Sequence, residues 1–305
     1  MTRTKINGII FQRELDRKVS FMEENSTVFR IFERDAEDKN NCIVRGRTKI
    51  GIVPMANGAG AGFTALNLVK ATAERDKLKP AFLDFSGQLY YYQLAMDKRF
   101  DKRGFINMIA RGERGENLRN ISNWEEGINW CIYKPDYIIS AYARNADSLA
   151  SFELYKIRSI MQEQLEGDFS ISVFPYLGMS LVKYDDPVAT SGMLWRDWKR
   201  LLEEQDYIIF IIDPKPDRLI SGKAFLEEIK RIEPQKIYVI NKDNSGVNRP
   251  EVKRFLDVKK TVSVPQVYRE YIYKAEYACK IPWNVSEIRS ILYSSINEII
   301  DEMEL

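Results

Sequence analysis

A glycine-rich turn between an apolar stretch and a helical stretch constrains this chain more than any other feature. Residues 49–68 read KIGIVPMANGAGAGFTALNL. The first residues predict a short buried strand, and the last predict a helix that begins near Thr64. Glycines let the backbone turn with positive φ, so that successive N–H groups can point at one anion. The unpaired N–H groups and the dipole of a helix start favour the same ligand. The sequence therefore predicts a phosphate-binding cradle.

The turn departs from the usual phosphate-binding rule at its charged position. In that rule a glycine is followed five residues later by Gly-Lys-Ser/Thr, and the lysine reaches the β- and γ-phosphates of a nucleotide. Here Gly62, Phe63 and Thr64 stand at the end of the rule, and Asn57 stands at its start. The backbone scaffold is therefore present, but a phenylalanine replaces the lysine.

Composition excludes several classes of site and partner. The 305 residues include no histidine, which removes histidine-based acid–base catalysis and histidine metal ligands. The three cysteines (Cys42, Cys131 and Cys279) are far apart, which argues against a zinc site and fits a reducing cytoplasm. A net charge of +2 gives no support to nucleic-acid binding. No apolar run reaches the roughly 18 residues of a membrane span. We expect a cytoplasmic protein without direct membrane insertion.

Strands alternate with helices along the rest of the chain. Apolar and β-branched segments predict strands at 80–88, 129–135, 137–141, 169–175, 207–212, 236–241 and 261–265. Helical periodicity predicts helices at 104–112, 148–165, 194–202, 221–232 and 285–303. This alternation predicts an α/β fold with a doubly wound, mostly parallel sheet and helices on both faces. Residues 48–305 contain no linker and are interpreted as one domain, preceded by a charged N-terminal extension at 1–47.

The order of the motifs resembles that of the MinD/ParA family of deviant Walker ATPases, which includes the TadZ pilus-assembly proteins. The resemblance covers residues 48 to about 300 and is carried by six segments: 58–68, 83–88, 104–112, 168–175, 240–242 and 264–282. They are similar, in turn, to the family's loop, second-strand motif, short helix, Walker B segment, adenine-contacting strand end and final IPYD-type segment. The resemblance implies a P-loop NTPase-like domain.

The resemblance also implies a site for ATP and Mg²⁺. The nucleotide-binding residues would be Gly58, Ala59, Gly60, Ala61, Gly62, Phe63, Thr64, Ala65, Asn241 and Pro265. Thr64 and Asp84 would serve Mg²⁺, and Asp84 is the candidate catalytic acid. Each has a local alternative: the loop can be a relic turn that only packs, Asp84 can cap a turn at a strand end, and Asn241 can be a plain turn asparagine.

Three departures from the family pattern weaken this implied chemistry. The two lysines of the family loop align with Gly58 and Phe63, and the Walker B aspartate aligns with Val173. Hydrogen bonds that involve a charged group are about twice as strong as neutral ones, so we expect weakened nucleotide affinity. Phosphoryl transfer depends on positioned positive charge, so we expect little or no ATPase activity.

These departures favour a non-catalytic scaffold or positioning factor, which the resemblance links to pilus or secretion machinery. Such a protein would act through protein partners and as a homodimer. The alternative is an active ATP-dependent dimerisation switch with slow ATP hydrolysis. Trp195 and Trp198, three residues apart on a predicted helix, could anchor a partner or could pack in the core.

Overall fold

The computed structural model describes residues 47–75, 77–86, 123–132, 155, 158–159, 162–163, 165–178, 195–278 and 280–304. These residues contain the strands β1 (Thr48–Pro54), β2 (Ala81–Asp84), β3 (Asn123–Glu125), β4 (Ile128–Ile132), β5 (Phe169–Val173), β6 (Tyr207–Ile212), β7 (Gln235–Asp243) and β8 (Val262–Pro265). Residues 1–46 of the extension predicted at 1–47, the helix at 104–112 and the strand at 137–141 lie outside the described residues, as does most of the helix at 148–165.

Helices alternate with these strands. They are α1 (Ala61–Arg75), α2 (Trp195–Glu203), α3 (Pro216–Ile229), α4 (Arg249–Leu256), α5 (Arg269–Tyr277) and α6 (Ser286–Glu302), and a 3₁₀ turn (Pro282–Asn284) precedes α6. The strands form one sheet in the order β3-β4-β2-β5-β1-β6-β7-β8. Seven strands run parallel, and β3 pairs antiparallel with β4. The predicted α/β fold with a mostly parallel sheet is confirmed.

Both faces of the sheet are covered, which explains why its central strands are almost wholly apolar. Along β6, Ile209 and Ile211 join a core with α1, α5 and α6, whereas Ile208, Phe210 and Ile212 join a second core with α2, α3 and α4. Successive side chains of a strand point to opposite faces, so one apolar run serves two cores. Trp198 is fully buried in the second core, which favours packing over partner contact for this tryptophan.

Several boundaries differ from the sequence prediction. The first helix begins at Ala61, not near Thr64, because the N–H of Thr64 already donates to the carbonyl of Gly60 at 3.0 Å. The helix predicted from Ser221 begins at Pro216, which stands in the first turn where its missing N–H costs nothing. The β4 strand pairs with β3 in a hairpin that the sequence did not predict.

Two helices were missed because their apolar stripes are short. The start of α4 is marked by Asn248, whose side chain accepts a hydrogen bond from the N–H of Glu251. This cap satisfies one of the unpaired N–H groups of a helix start. Helix α5 buries only Ala275 among its nine residues, so hydrophobic periodicity could not reveal it.

A group of polar contacts fixes the part of α1 that lies far from the glycine turn. Lys70 forms an ion pair with Glu126 of the β3–β4 turn at 2.8 Å, and the side-chain amide of Asn284 donates to the same carboxylate at 2.9 and 3.1 Å. One turn further along α1, Glu74 pairs with Arg289 of α6 at 2.5 Å. These contacts tie the C-terminal half of α1 to the hairpin and to α6. They thereby hold the start of α1, which follows the glycine turn, at the sheet edge.

Candidate functional site

The glycine turn lies at the carboxyl end of β1, between β5 and β6 in the middle of the parallel sheet. This edge is where ligands bind in open parallel sheets. The turn is built by two residues with positive φ, Gly58 at +72° and Gly60 at +95°, and by a hydrogen bond from the Ala59 N–H to the Ala56 carbonyl at 3.2 Å. The turn returns the chain directly into α1.

The start of α1 supplies the donors of the predicted cradle. Because the first helical hydrogen bond joins Thr64 to Gly60, the N–H groups of residues 60–63 have no partner within the helix. Such groups, together with the positive end of the helix dipole, favour phosphate. The predicted residues Gly62, Phe63, Thr64 and Ala65 all lie in this first part of α1, after Ala61.

Thr64 carries a buried hydroxyl that lacks a protein partner. Its side-chain oxygen has no hydrogen bond within the described structure, and the residue is 1% exposed. Buried hydroxyls are nearly always hydrogen-bonded, so an unsatisfied one calls for an explanation such as a ligand or ion. The position fits the magnesium-binding role that the resemblance implies for Thr64.

Phe63 lies half-buried against the core that α1 shares with the sheet. Its backbone carbonyl accepts a hydrogen bond from the side-chain amide of Asn67 at 2.7 Å, within the first turns of the helix. The phenylalanine therefore adds apolar packing where a lysine would bring positive charge.

Asp84 ends β2 and is fully buried. One of its carboxylate oxygens accepts hydrogen bonds from the N–H and the hydroxyl of Ser86, at 2.9 and 2.5 Å. In the neighbouring strand its register partner is Val173, the last residue of β5 and itself 1% exposed. The paired ends of these two strands thus carry one carboxylate, Asp84, and one apolar side chain, Val173.

Asn241, near the end of β7, reaches the turn from the other side. Its side-chain amide donates to the carbonyl of Ala59 at 2.8 Å. The C=O and N–H of one peptide unit point in opposite directions, so this bond directs the N–H of Gly60 away from β7. A side chain at Gly60 would bring a Cβ within 2.3 Å of the Asn241 amide nitrogen, which explains the glycine.

Two further residues of this edge were missed as site residues. They are Lys242 and Asp213, which directly follows the last residue of β6. The Lys242 ammonium donates to the carbonyl of Gly58 at 2.7 Å and forms an ion pair with Asp213 at 2.8 Å. The sequence offered a signal, since polar residues follow the apolar runs of both strands. No local pattern could show that Lys242 meets a turn 184 residues earlier.

Pro265 ends β8 and is half-buried at the same edge. It is the register partner of Asp243, whose carbonyl accepts a hydrogen bond from the N–H of Gln266 at 2.8 Å. The Asp243 carboxylate pairs with Arg249 of α4 at 2.6 Å. The structure therefore places Pro265 near the end of β7, but no contact between Pro265 and the glycine turn is among those described.

Taken together, the described residues fit a phosphate-bearing ligand with Mg²⁺. The N–H groups of residues 60–63 fit phosphate oxygens, and the unpartnered Thr64 hydroxyl and the Asp84 carboxylate have the oxygen chemistry that Mg²⁺ prefers. The described part of the chain has no cluster of three or more His, Cys, Asp or Glu side chains that could hold a metal. Among the described residues, every helix is too short or too polar to cross a membrane.

The fold resembles several solved structures. A ParA family ATPase from Chlorobium tepidum aligns over 82% of this chain and 97% of its own, with a TM-score of 0.61 and 15% identity. The septum site-determining protein MinD from Pyrococcus horikoshii, solved with Mg-ADP, aligns over 84% and 97%, with a TM-score of 0.60 and 15% identity. MinD of Aquifex aeolicus, solved as a MinC:MinD complex, gives 83% and 96%, a TM-score of 0.57 and 10% identity.

The fold is that of the MinD and ParA ATPases. No protein-family model matches the sequence, and no curated protein matches it. Sequence identities of 10–15% to solved structures show the fold only. The activity has to be argued from the site, because one fold supports many functions.

Proposed function

We propose that this chain is a MinD/ParA-fold protein that acts as a non-catalytic scaffold or positioning factor. One observation supports the proposal: apolar side chains, the half-buried Phe63 and the buried Val173, occupy the positions at which the resemblance expects a lysine and the Walker B aspartate. Neither side chain can bind phosphate, magnesium or water through a polar atom.

The missing charges bear on turnover more than on binding. In phosphoryl transfer the protein's contribution is positioning and electrostatic stabilisation of the transferred group, so loss of a lysine at the loop removes transition-state stabilisation. Replacing a polar strand end by Val173 removes a further group that could orient water or metal. Asp84 remains as the one predicted acid, and its carboxylate already accepts two hydrogen bonds from Ser86.

Nucleotide binding of reduced strength is part of this proposal. The N–H groups at the start of α1 would hold phosphate oxygens, and Thr64 with Asp84 would hold Mg²⁺. Asn241 and Pro265 would lie at the adenine. When bound, the metal would neutralise phosphate charge at this edge of the sheet. Such a nucleotide would serve as a structural ligand that shapes the surface which partners recognise.

The partners in this proposal are proteins, including a second copy of the chain. The Aquifex aeolicus MinD was solved in complex with MinC, so this fold presents a surface to a different protein in that case. The TadZ-like assignment to pilus or secretion machinery extends the resemblance of the motifs and is the most specific part of the proposal.

A hydrolysis assay tests the proposal. The purified full-length chain is incubated with Mg·ATP, and phosphate release is compared with that of an Asp84→Asn variant. We expect no release above the level of Asp84→Asn. Release by the natural chain that disappears in Asp84→Asn would contradict the non-catalytic function. Phe63→Lys, which restores the lysine of the loop, is the positive comparison for binding.

The alternative function, an ATP-dependent dimerisation switch, is favoured by the unpartnered hydroxyl of Thr64. A switch needs a magnesium-linked group that senses the nucleotide, and this hydroxyl is suited to that role. The test is the solution mass with and without Mg·ATP. The switch would be favoured if Mg·ATP doubled the solution mass of the natural chain but left the Thr64→Val variant at the mass of a monomer.

A further inference from the structure

Two neighbouring residues at the end of β7 both reach the glycine loop, which an ordinary strand does not allow. Successive side chains of a strand point to opposite faces. Here Asn241 donates to the carbonyl of Ala59, and Lys242 donates to the carbonyl of Gly58. An irregularity of the strand must therefore turn one of the two side chains back towards the loop.

That irregularity is present in the backbone. The pairing of β7 with β8 shifts register between Ile240 and Asp243, and Lys242 has a φ of +57°. Bulges of this kind redirect side chains and are common next to functional sites. A lysine in the left-handed region is uncommon, because its Cβ crowds the backbone. The bulge and the left-handed residue together aim the Lys242 side chain at the loop.

The ammonium of Lys242 is anchored but not saturated. An ammonium has three donors. One binds the Gly58 carbonyl at 2.7 Å and a second binds the Asp213 carboxylate at 2.8 Å. Among the described residues the third donor has no partner, and the side chain is 38% exposed. A cation with an open donor therefore lies beside a loop whose own sequence supplies no cation.

Lys242 contacts the loop at a position where the family pattern has a lysine. Gly58 is the loop residue that aligns with one of the two lysines of the MinD/ParA pattern, and the other lysine aligns with Phe63. Lys242 is attached to the loop at Gly58 although it comes from another strand, 184 residues later. The buried Asp213, which also accepts from the N–H of Lys215 at 3.2 Å, holds the ammonium in place.

We propose that Lys242 supplies, from the end of β7, the positive charge that the glycine loop lacks, and that it binds the phosphates of a nucleoside polyphosphate. The inference rests on the proposed function for the class of ligand and adds the residue that makes binding possible without a loop lysine. Nucleotide binding through Lys242 would not imply nucleotide hydrolysis, because the sheet positions this lysine and helix α1, which follows the loop, does not.

The test measures the affinity of the full-length chain for Mg·AMP-PNP and for inorganic pyrophosphate by calorimetry. The variants are Lys242→Met and Lys242→Arg. Lys236→Met is the matched control: it removes one lysine from the same strand, at the opposite end, where the ammonium donates to the Ile232 carbonyl. We expect Lys242→Met to weaken both probes about tenfold or more, the effect of one hydrogen bond to a charged group. Lys242→Arg should retain most of the affinity, and Lys236→Met should equal the natural chain.

A second variant tests the inference even if Lys242→Met does not fold. Asp213→Asn keeps an oxygen acceptor for Lys242 and removes the opposing charge, so pyrophosphate should bind a few-fold more tightly. Equal affinity in Lys242→Met and Lys236→Met, no tightening in Asp213→Asn, or no binding of either probe to the natural chain would each overturn the inference. ATP hydrolysis would contradict the proposed function and leave this result untouched.

Discussion

Asp84 and Val173 are register partners at the carboxyl ends of the neighbouring parallel strands β2 and β5. Both are buried, one as a hydrogen-bonded carboxylate and the other as an apolar member of the core beneath α1. Of these two residues, only Asp84 brings an acidic group to the carboxyl edge of the sheet. In the proposed function, this arrangement holds a metal-linked ligand and does not activate water.

Placing an aspartate at Val173, where the resemblance expects the Walker B aspartate, should cost stability. Val173→Asp would bury a second carboxylate beside Asp84, and two like charges in one buried site oppose each other. We expect the free energy of unfolding to fall by roughly 3 kcal/mol, measured by urea denaturation. Val173→Asn, which is polar but uncharged, should cost less. Equal losses in the two variants would show that the charge of Asp84 has no influence there.

The two left-handed glycines of the loop should respond differently to alanine. A Cβ at Gly58 would meet nothing within 4 Å, whereas a Cβ at Gly60 would lie 2.3 Å from the Asn241 amide nitrogen. Gly58→Ala should cost about 1 kcal/mol from its positive φ alone. Gly60→Ala should cost about 1–2 kcal/mol more, because Asn241 must also move.

A double-mutant cycle isolates this contact. In an Asn241→Ala background the extra cost of Gly60→Ala should largely vanish, since the clash is gone and only the backbone strain remains. Thermal or urea unfolding of the four proteins measures the coupling. Additive losses would mean that Asn241 does not hold the loop at this position.

Thr64→Val tests whether the buried hydroxyl serves a ligand. Without ligand, this replacement of similar shape should leave stability unchanged or raise it by about 1 kcal/mol, because it removes an unsatisfied buried polar group. With Mg·AMP-PNP, the natural chain should gain melting temperature and the variant should gain less. If the variant lost stability in the absence of ligand, the hydroxyl would have a protein partner instead.

The contact between α1 and the β3–β4 turn should depend on pH. Burial raises the pKa of Glu126, but hydrogen bonds from Lys70 and Asn284 outweigh it and leave this pKa below its usual value of 4.5. A lowered pKa in the folded state contributes stability above the usual pKa, and this stability is lost as the pH falls through the folded value. The carboxylate is 39% exposed, so we expect at most about 1 kcal/mol.

Glu126→Gln is the variant that measures this contribution. At about pH 7 it should melt below the natural chain, and the difference should shrink as the pH falls through the lowered pKa of Glu126 and the carboxylate becomes protonated. Lys274 and Glu287 form a separate exposed pair, so Lys274→Met provides a control for general surface charge. A difference in melting temperature that does not change with pH would indicate lost packing or lost neutral hydrogen bonds.

The sheet could be predicted from the sequence because its signal is local. Segments such as Tyr207–Ile212 are apolar along their whole length, and only a strand buried on both faces needs that pattern. The glycine loop was predictable for a similar reason, since positive φ, as at Gly58 and Gly60, favours a residue without a Cβ. The loop, the start of α1 and the end of β2 were all expected to lie at one edge, and they do.

The rest of the candidate site depends on contacts between distant parts of the chain. Lys242 reaches the loop only because of a bulge in β7 that no residue pattern predicts. Asp213 meets Lys242 only because β6 and β7 are neighbours in the sheet. Helix α5 was missed because it buries one residue and so lacks an apolar stripe. The contributions of Thr64, Asp84, Asn241 and Pro265 to nucleotide binding remain predictions.

The sheet order also sets when the loop can acquire its shape during synthesis. The strand that carries the loop, β1, pairs with β5 and β6, and the bond from Asn241 to Ala59 spans 182 residues. At about 5–20 residues per second, the ribosome needs roughly 10 to 40 seconds to make that interval. Until then the sheet beneath α1 lacks β7 and β8, and the glycine turn lacks the hydrogen bond from Asn241. A ligand held by this loop would therefore distinguish finished chains from fragments that stop before β7.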